Sequence, residues 1–319
     1  MGYFIGMDIG GTYARLRLVN DEGLALYECE GQGGTISSCG VETMKDRFHA
    51  LVQPALETCG LSALDCSGLC LGASGVDSPS LKRVYEEILE GLGFSRAVFQ
   101  AYNDCEMLLS LFGGPCIVLI SGTGSIAMGR LNPTSPLIRC GGWSYLLSDE
   151  GSAPSISFAA MRAILKHWDG QCCCATLAEL FAKSTGYDTP QQLTSWCHQN
   201  LQNKDQLARL APLVEQAALA GDPCAQALQA RAAQQLFELV DTVAHKLKAA
   251  NDAFSLLLWG SVLTQNVAIR RELCRLTHRS YPRSQACMLG SSALDCAVQL
   301  AMHKPAQGLL RPAESQEAC

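Results

Sequence analysis

The segment CIVLISGTGSIAMGRL, residues 116–131, decides the fold, because an apolar run, a glycine-rich tip and a second run follow one another without a helix between them. The first run is uniformly apolar, as in a strand buried on both faces. The second run alternates in side-chain character, with the period of two that belongs to a strand. We therefore predict a β-hairpin whose tip is formed by Gly122, Thr123, Gly124 and Ser125.

The same design opens the chain in YFIGMDIGGTYARLRLV, residues 3–19. Apolar and arginine side chains alternate over residues 14–18, which indicates a half-buried strand and not a helix. Gly10, Gly11 and Thr12 therefore lie at the tip of a second hairpin. Two such hairpins, about 110 residues apart, predict duplicated lobes that face each other across a central cleft.

The rest of the chain predicts an α/β protein. The opening strand belongs to a three-stranded meander, after which helices and strands alternate, and the region of about 155–250 is mainly helical. The predicted strands are 3–9, 14–20, 24–30, 67–73 and 97–101, and the predicted helices of the first half lie near 41–58 and 80–91.

Composition excludes several classes of function. The 319 residues are 48% hydrophobic, which is enough for two ordinary cores. The net charge of −6 and the lack of a long basic cluster argue against a nucleic-acid groove or an anionic membrane surface. No apolar stretch approaches the roughly 20 residues of a membrane helix, and no secretory signal precedes the first strand. We expect a cytoplasmic protein with a small-molecule partner.

The 17 cysteines raise the alternatives of disulfides, a metal site or an iron–sulfur cluster. The chain contains no C-x-x-C pair, and no cysteine group has a second ligand pair at the spacing of a zinc finger. Free cysteine packs as a small apolar residue. We therefore expect reduced, mostly buried thiols.

Both tips could hold phosphate. Glycine accepts positive φ and lets backbone N–H groups approach an anion, and Thr12, Thr123 and Ser125 add hydroxyl donors. The chain lacks the P-loop pattern, and the strand after the first tip argues against a dinucleotide-binding turn, which opens a helix. Ordinary glycine hairpins are the alternative.

An ordered set of motifs resembles a known family. The motifs are D-x-G-G-T at 8–12, N-D at 103–104, G-T-G-S at 122–125, G-G-W at 141–143 and D-E-G-S at 149–152. They resemble the N-acetylglucosamine kinase branch of the BadF/BadG/BcrA/BcrD group of actin-like ATPases. LLLWGSVLTQ at 256–265 resembles the adenosine-binding turn of this family, and MLGSSALDCAVQLA at 288–301 resembles its closing helix.

The resemblance implies a two-lobed actin-like ATPase (ribonuclease H-like) fold. The first lobe would be residues 1–113, completed by a C-terminal helix at about 289–319. The second would be residues 114–288, with a helical insertion at about 155–250. Because relatives are commonly dimeric, the resemblance also implies a homodimer.

The resemblance also implies the catalytic groups of an ATP- and Mg²⁺-dependent sugar kinase. Asp104 would be the general base that takes a proton from the sugar hydroxyl. The alternative for Asp104 is an acid favoured by a helix N-terminus. Asp8 would hold Mg²⁺, chiefly through water, or would merely cap its hairpin.

The resemblance implies two binding sets. The sugar would contact Gly141, Gly142, Asp149 and Asn103, and Trp143 would either face the sugar or pack in the core. Adenosine would lie at Gly260 and Ser261, which equally suit a plain strand-to-helix turn, and the corner at Gly221 would approach the nucleotide. Ser152 would sit beside the sugar or simply cap the helix that it opens.

One departure from the family pattern concerns the sugar. The family's loop after the third strand carries an asparagine that reads the amino sugar, but GQGGTISSCG at 31–40 has none. Ser37 or Ser38 could replace that contact.

Three functions follow. The first is ATP-dependent phosphorylation of N-acetylglucosamine or a related amino sugar. The second is an ATP-driven activator of a 2-hydroxyacyl-CoA dehydratase or benzoyl-CoA reductase type of enzyme, which needs exposed cysteines such as Cys105, Cys116 or Cys140 for an iron–sulfur cluster. The third is a non-catalytic sugar sensor.

Overall fold

The computed structural model describes residues 2–11, 13–73, 76, 78–248, 253–290, 292–303 and 310–313. The chain divides into two compact units. The first unit consists of Met1–Gly113 with Leu289–Arg311, and the second of Gly114–Met288 with Pro312–Cys319.

The first unit begins with a three-stranded meander and continues with alternating helices and strands. Its elements up to residue 113 are β1 Tyr3–Ile9, β2 Tyr13–Asn20, β3 Ala25–Gln32, α1 Ile36–Cys39, α2 Val41–Cys59, β4 Cys66–Ala73, α3 Pro79–Gly91, β5 Val98–Tyr102 and α4 Asp104–Leu109. The strand order is β3-β2-β1-β4-β5. Strand β1 is antiparallel to β2 and parallel to β4, which is parallel to β5.

The second unit also begins with a meander, and a helical region follows before its parallel strands. Its elements up to residue 289 are β6 Cys116–Ser121, β7 Ser125–Arg130, β8 Ile138–Gly141, α5 Ala153–Trp168, α6 Ala175–Thr185, α7 Pro190–Asn200, α8 Lys204–Ala208, α9 Ala211–Leu219, α10 Pro223–Leu247, β9 Ser255–Trp259, α11 Ser261–Gln265, α12 Val267–Ser280 and β10 Gln285–Leu289. The last two elements are α13 Ala293–Ala301 and β11 Leu310–Pro312.

The two sheets share one topology. The second sheet has the order β11-β10-β9-β6-β7-β8, in which β6 is antiparallel to β7 and parallel to β9. Apart from β11, this order repeats that of the first sheet. The predicted alternation in β2 is confirmed, since Ala14, Leu16 and Leu18 are buried and Arg15 is exposed. The duplicated design inferred from the two glycine hairpins is therefore present in the sheets themselves.

Helix α13 packs on the first sheet where two strands carry glycine. A Cβ on Gly6 of β1 would lie 2.6 Å from the backbone nitrogen of Val298. A Cβ on Gly68 of β4 would lie 2.4 Å from the carbonyl oxygen of Ala301. Bare backbone at these two positions lets the helix approach the sheet closely. The C-terminal helix thereby belongs to the core of the first unit.

Two elements differ from the sequence-based expectations. Strand β8, which completes the second meander, was not predicted, because its four residues are all half-buried and show no alternation. Helix α13 ends at Ala301, short of the predicted helix to about residue 319, and Leu310–Pro312 forms strand β11. There the amide of Ala313 donates to the carbonyl of Ala286, 3.2 Å away. This end of the chain is therefore ordered by its pairing with β10 of the second sheet.

The cysteines of the described part are free thiols, and among them Cys172 and Cys173 are exposed. Within the same part of the chain, no helix has the length and apolar character to cross a bilayer.

Candidate active site

The first glycine tip is held by the loop that follows β3. The amide of Gly10 donates to the carbonyl of Tyr13 across the hairpin (2.9 Å), and the amide of Gly34 donates to the carbonyl of Gly10 (2.8 Å). A Cβ on Gly33 would lie 2.3 Å from that same carbonyl oxygen. Neither Gly10 nor Gly11 has positive φ; a Cβ on Gly10 would lie 3.3 Å from the Tyr13 carbonyl oxygen, whereas a Cβ on Gly11 would meet nothing within 4 Å. Thr12 lies outside the described residues.

Asp8 lies near the end of β1, just before this tip. It pairs in register with Arg15 on β2 and with Gly72 on β4. Burial raises the pKa of the Asp8 carboxyl above its usual value, and the Arg15 guanidinium opposes that shift. No group of three or more histidine, cysteine or acidic side chains that could hold a metal exists in the described ranges. A lone carboxylate still suits Mg²⁺, because this ion keeps several waters and shares phosphate oxygens.

Asn103 and Asp104 lie at the same edge of the first sheet as Asp8. The register places Asp8 beside Gly72 and Gly72 beside Tyr102, so the parallel strands β1, β4 and β5 end together. Asp104 is the first residue of α4 and is half-buried. The predicted helix N-terminus at Asp104 is present, and its role as general base stays a prediction.

The turn between β5 and α4 is fixed by a capping box. Asn103 Oδ1 accepts the amide of Glu106 at 2.8 Å, and Glu106 Oε2 accepts the Asn103 amide at 3.4 Å. Lys82 Nζ donates to the same Glu106 oxygen at 2.7 Å. The side-chain oxygen of Asn103 is therefore used by the helix cap. A sugar contact from this side chain would have to use its Nδ2 group as a donor.

The second glycine tip is joined to the D-E-G-S turn. Gly122 accepts the amide of Ala153 at 2.8 Å, and Ser121 Oγ donates to the Gly151 carbonyl at 2.9 Å. Ser125 Oγ donates to the Glu150 carbonyl at 2.7 Å and is buried. The expected role of Ser125 as a hydroxyl donor to phosphate is therefore corrected, since its proton is used inside the unit. Thr123 is exposed at the tip and keeps that role as a prediction.

Asp149 is a buried carboxylate beside this tip. It is 8% exposed, and a Cβ on Gly124 would lie 2.8 Å from its Oδ2. Burial raises the pKa of the Asp149 carboxyl, and the charge of Glu150 raises it further. A hydrogen bond from the Ser144 amide and the charges of Lys204 and Arg139 offset part of this rise. Its Oδ1 is buried without a hydrogen-bond partner among the described residues. A buried acceptor without a donor is rare and marks a place where a ligand hydroxyl would bind.

The G-G-W segment has a backbone that requires glycine. Gly141 and Gly142 have φ of 76° and 71°, and a Cβ on Gly142 would lie 2.8 Å from Ile126 Cδ1. Arg139 donates through Nε to the Gly141 carbonyl at 3.1 Å and also donates to the Gly142 carbonyl. This rigid segment presents the next side chain.

Trp143 is 72% exposed, so the core-packing alternative is wrong for this residue. The Arg139 guanidinium lies 4.2 Å from the centroid of its ring, a cation–π contact. The Trp143 amide donates to Ser148 Oγ at 3.3 Å. The ring is therefore held from one side while most of its surface stays open to a ligand.

The turn at Gly260 and Ser261 touches the second tip. Gly260 has a φ of 97°, and a Cβ on it would lie 2.3 Å from the Ser121 carbonyl oxygen. A Cβ on Gly122 would lie 3.4 Å from Ser261 Oγ. The segment is a strand-to-helix turn that also adjoins the tip, and its role in adenosine binding stays a prediction.

An open pocket with a cavity volume of about 70 Å³ begins at Ser261. Most of its lining is apolar, and the residues are Ala153, Ile156, Ala208, Ala211, Pro212, Val214, Glu215, Gln229, Ser261, Val262, Gln265, Asn266 and Ile269. The second tip, Ser261 and this pocket thus form one continuous surface of the second unit.

Gly221 and Ser37 lie elsewhere within their own units. Gly221 is exposed with a φ of 90°, does not line the pocket, and precedes Asp222, which caps α10 by accepting the amide of Cys224 at 2.9 Å. Ser37 is exposed on α1. Ser38 Oγ donates to the Thr35 carbonyl at 2.9 Å, so Ser37 is the serine of this pair whose hydroxyl stays available.

The sequence did not point to three charged residues of these sites. Arg139 and Lys204 lie near Asp149, and Glu215 lines the pocket that begins at Ser261. Arg139 lies on the unpredicted β8, and the other two lie on short helices whose charges look like ordinary solvent-facing residues. No motif or pattern in the sequence distinguishes these three residues from ordinary surface charges. The pocket and the Asp149 carboxylate reveal them only once the chain is folded.

The chain is similar to known proteins over most of its length. A model of the BadF/BadG/BcrA/BcrD ATPase family matches residues 5–282. The chain is 28% identical to the N-acetylmuramic acid/N-acetylglucosamine kinase of Clostridium acetobutylicum, over 94% of this chain and 98% of that protein. It is 26% identical to the N-acetyl-D-glucosamine kinase of Dictyostelium discoideum, over 88% of this chain and 92% of that protein.

A solved structure shares the fold. A protein from Chromobacterium violaceum, described as a candidate N-acetylglucosamine kinase, superposes with a TM-score of 0.72 at 26% identity, covering 94% of this chain and 99% of that one. Together with the repeated strand order, this likeness shows the actin-like ATPase fold that the motifs implied.

Proposed function

The chain belongs to the BadF/BadG/BcrA/BcrD ATPase family, and on that premise we propose that it transfers the γ-phosphoryl group of ATP to a hydroxyl of N-acetylglucosamine or a related amino sugar. The named activities of the Clostridium and Dictyostelium relatives support the substrate class. The activator alternative is not favoured, because Cys105 and Cys116 are buried and no relative compared above carries that activity.

The observation that carries the proposal is the unpartnered Oδ1 of Asp149. An ionised carboxylate that is more than nine-tenths buried loses most of its hydration, and a free acceptor lone pair there costs free energy. A sugar hydroxyl is a neutral donor that would restore the missing hydrogen bond without adding charge. Trp143 would offer its open ring face to the apolar face of the same sugar.

The nucleotide side of the proposal uses backbone rather than lysine. Backbone N–H groups at Gly11 and Gly124 would hold phosphate oxygens, with the Thr123 hydroxyl and, as predicted from sequence, that of Thr12. The amides of Gly10 and Gly122, which were predicted to bind ATP as well, already donate to the carbonyls of Tyr13 and Gly124 inside their own hairpins. Asp8 would hold Mg²⁺, which when bound neutralises phosphate charge. Ser261 and its pocket would take the nucleoside.

Asp104 is the proposed general base. The sugar oxygen attacks the γ-phosphorus, the bond from that phosphorus to the β–γ bridging oxygen breaks, and ADP leaves with that oxygen. The hydroxyl proton passes to the Asp104 carboxylate. The capping box of Asn103 and Glu106, with Lys82, keeps the start of α4 in place so that this carboxylate has a fixed direction.

The test is sugar-dependent release of ADP from ATP and Mg²⁺. The panel contains glucose, glucosamine, N-acetylglucosamine and N-acetylmuramic acid; the last belongs there because Arg162 and Arg231 line a pocket beside Asp149 and could receive a carboxylate. We expect the amino sugars to stimulate ADP release well above the rate without sugar. Equal rates with and without every sugar would contradict the proposal.

Magnesium dependence, a homodimer and a cytoplasmic location remain predictions. Loss of turnover in EDTA with recovery on adding Mg²⁺ checks the first. Sedimentation at several protein concentrations checks the second, and fractionation of cells that produce the protein checks the third.

A further inference from the structure

The pocket that begins at Ser261 has one charged wall residue among the described residues that line it, and that residue is Glu215 on α9. Glu215 is half-buried, and neither an ion pair nor a hydrogen bond joins its side chain to the part of the chain that the structure describes. Burial raises the pKa of its carboxyl. An acceptor without a partner in a mostly apolar pocket is suited to a donor on a ligand.

The two buried amide side chains that line the pocket are already engaged. Gln229 Nε2 donates to Asn266 Oδ1 at 3.2 Å, and that oxygen also accepts the Ile269 amide at 2.9 Å. Ser261 and Gln265 line the pocket too, and among its described lining residues Glu215 supplies the one carboxylate, an acceptor that has no proton to donate when ionised.

The placement of Glu215 points to the base and not to the ribose. Helix α11, which begins at Ser261, packs on β6, β9 and α12, whereas α9 packs on α5, α6 and α10. The ribose joins the base to the phosphates, so it occupies the end of the pocket next to Ser261 and the second tip. The base then reaches the wall formed by α9, where Pro212 and Val214 offer apolar contacts beside Glu215.

We propose that Glu215 makes the protein select adenine over guanine by accepting a hydrogen bond from the 6-amino group of the base. This inference rests on the proposed ATP-dependent function and adds a residue that reads the nucleotide. Guanine carries a carbonyl oxygen at the same position, which would place two acceptors against each other. A hydrogen bond to a charged group is worth about a 10-fold to 100-fold preference for ATP over GTP.

The test compares ATP with GTP in the wild type and in Glu215→Gln. A glutamine amide can accept from the amino group of adenine or donate to the carbonyl of guanine, so the ratio of kcat/KM values for ATP and GTP should fall at least 10-fold. Glu179→Gln is the matched control, because Glu179 is exposed on α6 and outside the pocket. That variant should keep the wild-type ratio.

Binding of ADP and GDP by calorimetry tests the same claim without turnover. The wild type should bind ADP at least 10-fold more tightly than GDP even if no sugar is phosphorylated, so failure of the proposed function and failure of this inference are distinguishable. Equal affinities for ADP and GDP in the wild type would overturn the inference, whether or not the variant folds. So would a Glu215→Gln protein that loses discrimination against 2′-deoxy-ATP but keeps its preference for adenine, because Glu215 would then read the ribose.

Discussion

The α-carbon of Gly124 faces the carboxylate of Asp149 so closely that a Cβ on Gly124 would lie 2.8 Å from Asp149 Oδ2. The glycine tip that we propose binds phosphate and the carboxylate that we propose binds the sugar are therefore in direct packing contact within one unit. Because Gly124 does not have positive φ, the space beside Asp149 is what requires glycine at this position.

Gly124→Ala should weaken sugar binding by displacing the Asp149 carboxylate. We expect the KM for the sugar to rise about 10-fold or more, the loss of one hydrogen bond to a charged group, while the protein stays folded. Steady-state kinetics with a circular dichroism spectrum measure both. Gly114→Ala is the control, since a Cβ there meets nothing within 4 Å. An unchanged KM in Gly124→Ala would contradict the account.

Asp149→Asn should raise the melting temperature at neutral pH while abolishing sugar binding. Burial raises the pKa of this carboxyl, so the ionised form costs stability in the free protein at pH values above the folded-state pKa. The stabilisation by Asn should shrink as the pH falls towards 3.8, the ordinary value, where the wild-type group is protonated too. Thermal melts over this range check the sign.

Asp295→Asn is the control of opposite sign. Burial opposes ionisation of Asp295, but hydrogen bonds from Ser292 and the Arg17 guanidinium outweigh it and hold the pKa of that carboxyl below its usual value. Its replacement should therefore lower the melting temperature at neutral pH. A fall for both variants would show that Asp149 is stabilised as an anion, contrary to the account.

Sugar affinity should also depend on pH through Asp149. The ionised carboxylate accepts hydrogen bonds from sugar hydroxyls, and protonation removes acceptor capacity, so the sugar Kd should rise as the pH falls through the raised pKa. Titration calorimetry in the presence of ADP and Mg²⁺ at a series of pH values measures this. A Kd that is flat from neutrality down to pH 3.8 would argue against contact with Asp149.

Asp104→Asn should lower kcat by about 10²-fold to 10⁴-fold, the usual contribution of a general base, with little change in the sugar Kd. The amide keeps the size of the side chain but cannot take up the proton. Comparing kcat with the calorimetric Kd separates catalysis from binding. A variant with wild-type kcat would remove Asp104 from the mechanism.

Trp143→Ala should raise the sugar KM about 2-fold to 10-fold, the range expected for one aromatic contact. Because Trp143 is 72% exposed, its loss should hardly change the melting temperature. Leu24→Ala is the control, since Leu24 is 64% exposed between β2 and β3 and lies outside the pocket that contains Asp149. Equal KM values for both variants would show that Trp143 is an ordinary surface residue that does not contact the sugar.

The strands could be predicted from sequence where one face is buried. Alternation over Ala14, Leu16 and Leu18 identified β2, because burial of one face leaves a period of two. The uniform apolar run at 116–120 identified β6, because burial of both faces leaves a continuous apolar run. Strand β8 left no such mark, since all four of its residues are half-buried. Strand β11 is only three residues long, which is too short for any period.

The candidate site could be predicted as motifs but not as contacts. The order of the motifs pointed to segments that are neighbours within each unit: Asp8 and Asp104 at one sheet edge, and Gly124 beside Asp149. Whether a given hydroxyl is free depends on the folded chain, and so the donation of Ser125 to Glu150 was not foreseeable. The roles of Arg139 and Glu215 depend on a ring and a pocket assembled from distant segments.

The central claim is phosphoryl transfer to a sugar. The most direct test uses ATP that carries ¹⁸O on its γ-phosphoryl group and follows that label. With N-acetylglucosamine and N-acetylmuramic acid supplied separately, mass spectrometry should find a phosphorylated sugar that carries all the γ-phosphoryl label, formed in equal amount to ADP. Labelled inorganic phosphate beside unmodified sugar would show that the protein hydrolyses ATP without transferring it, and would contradict the account.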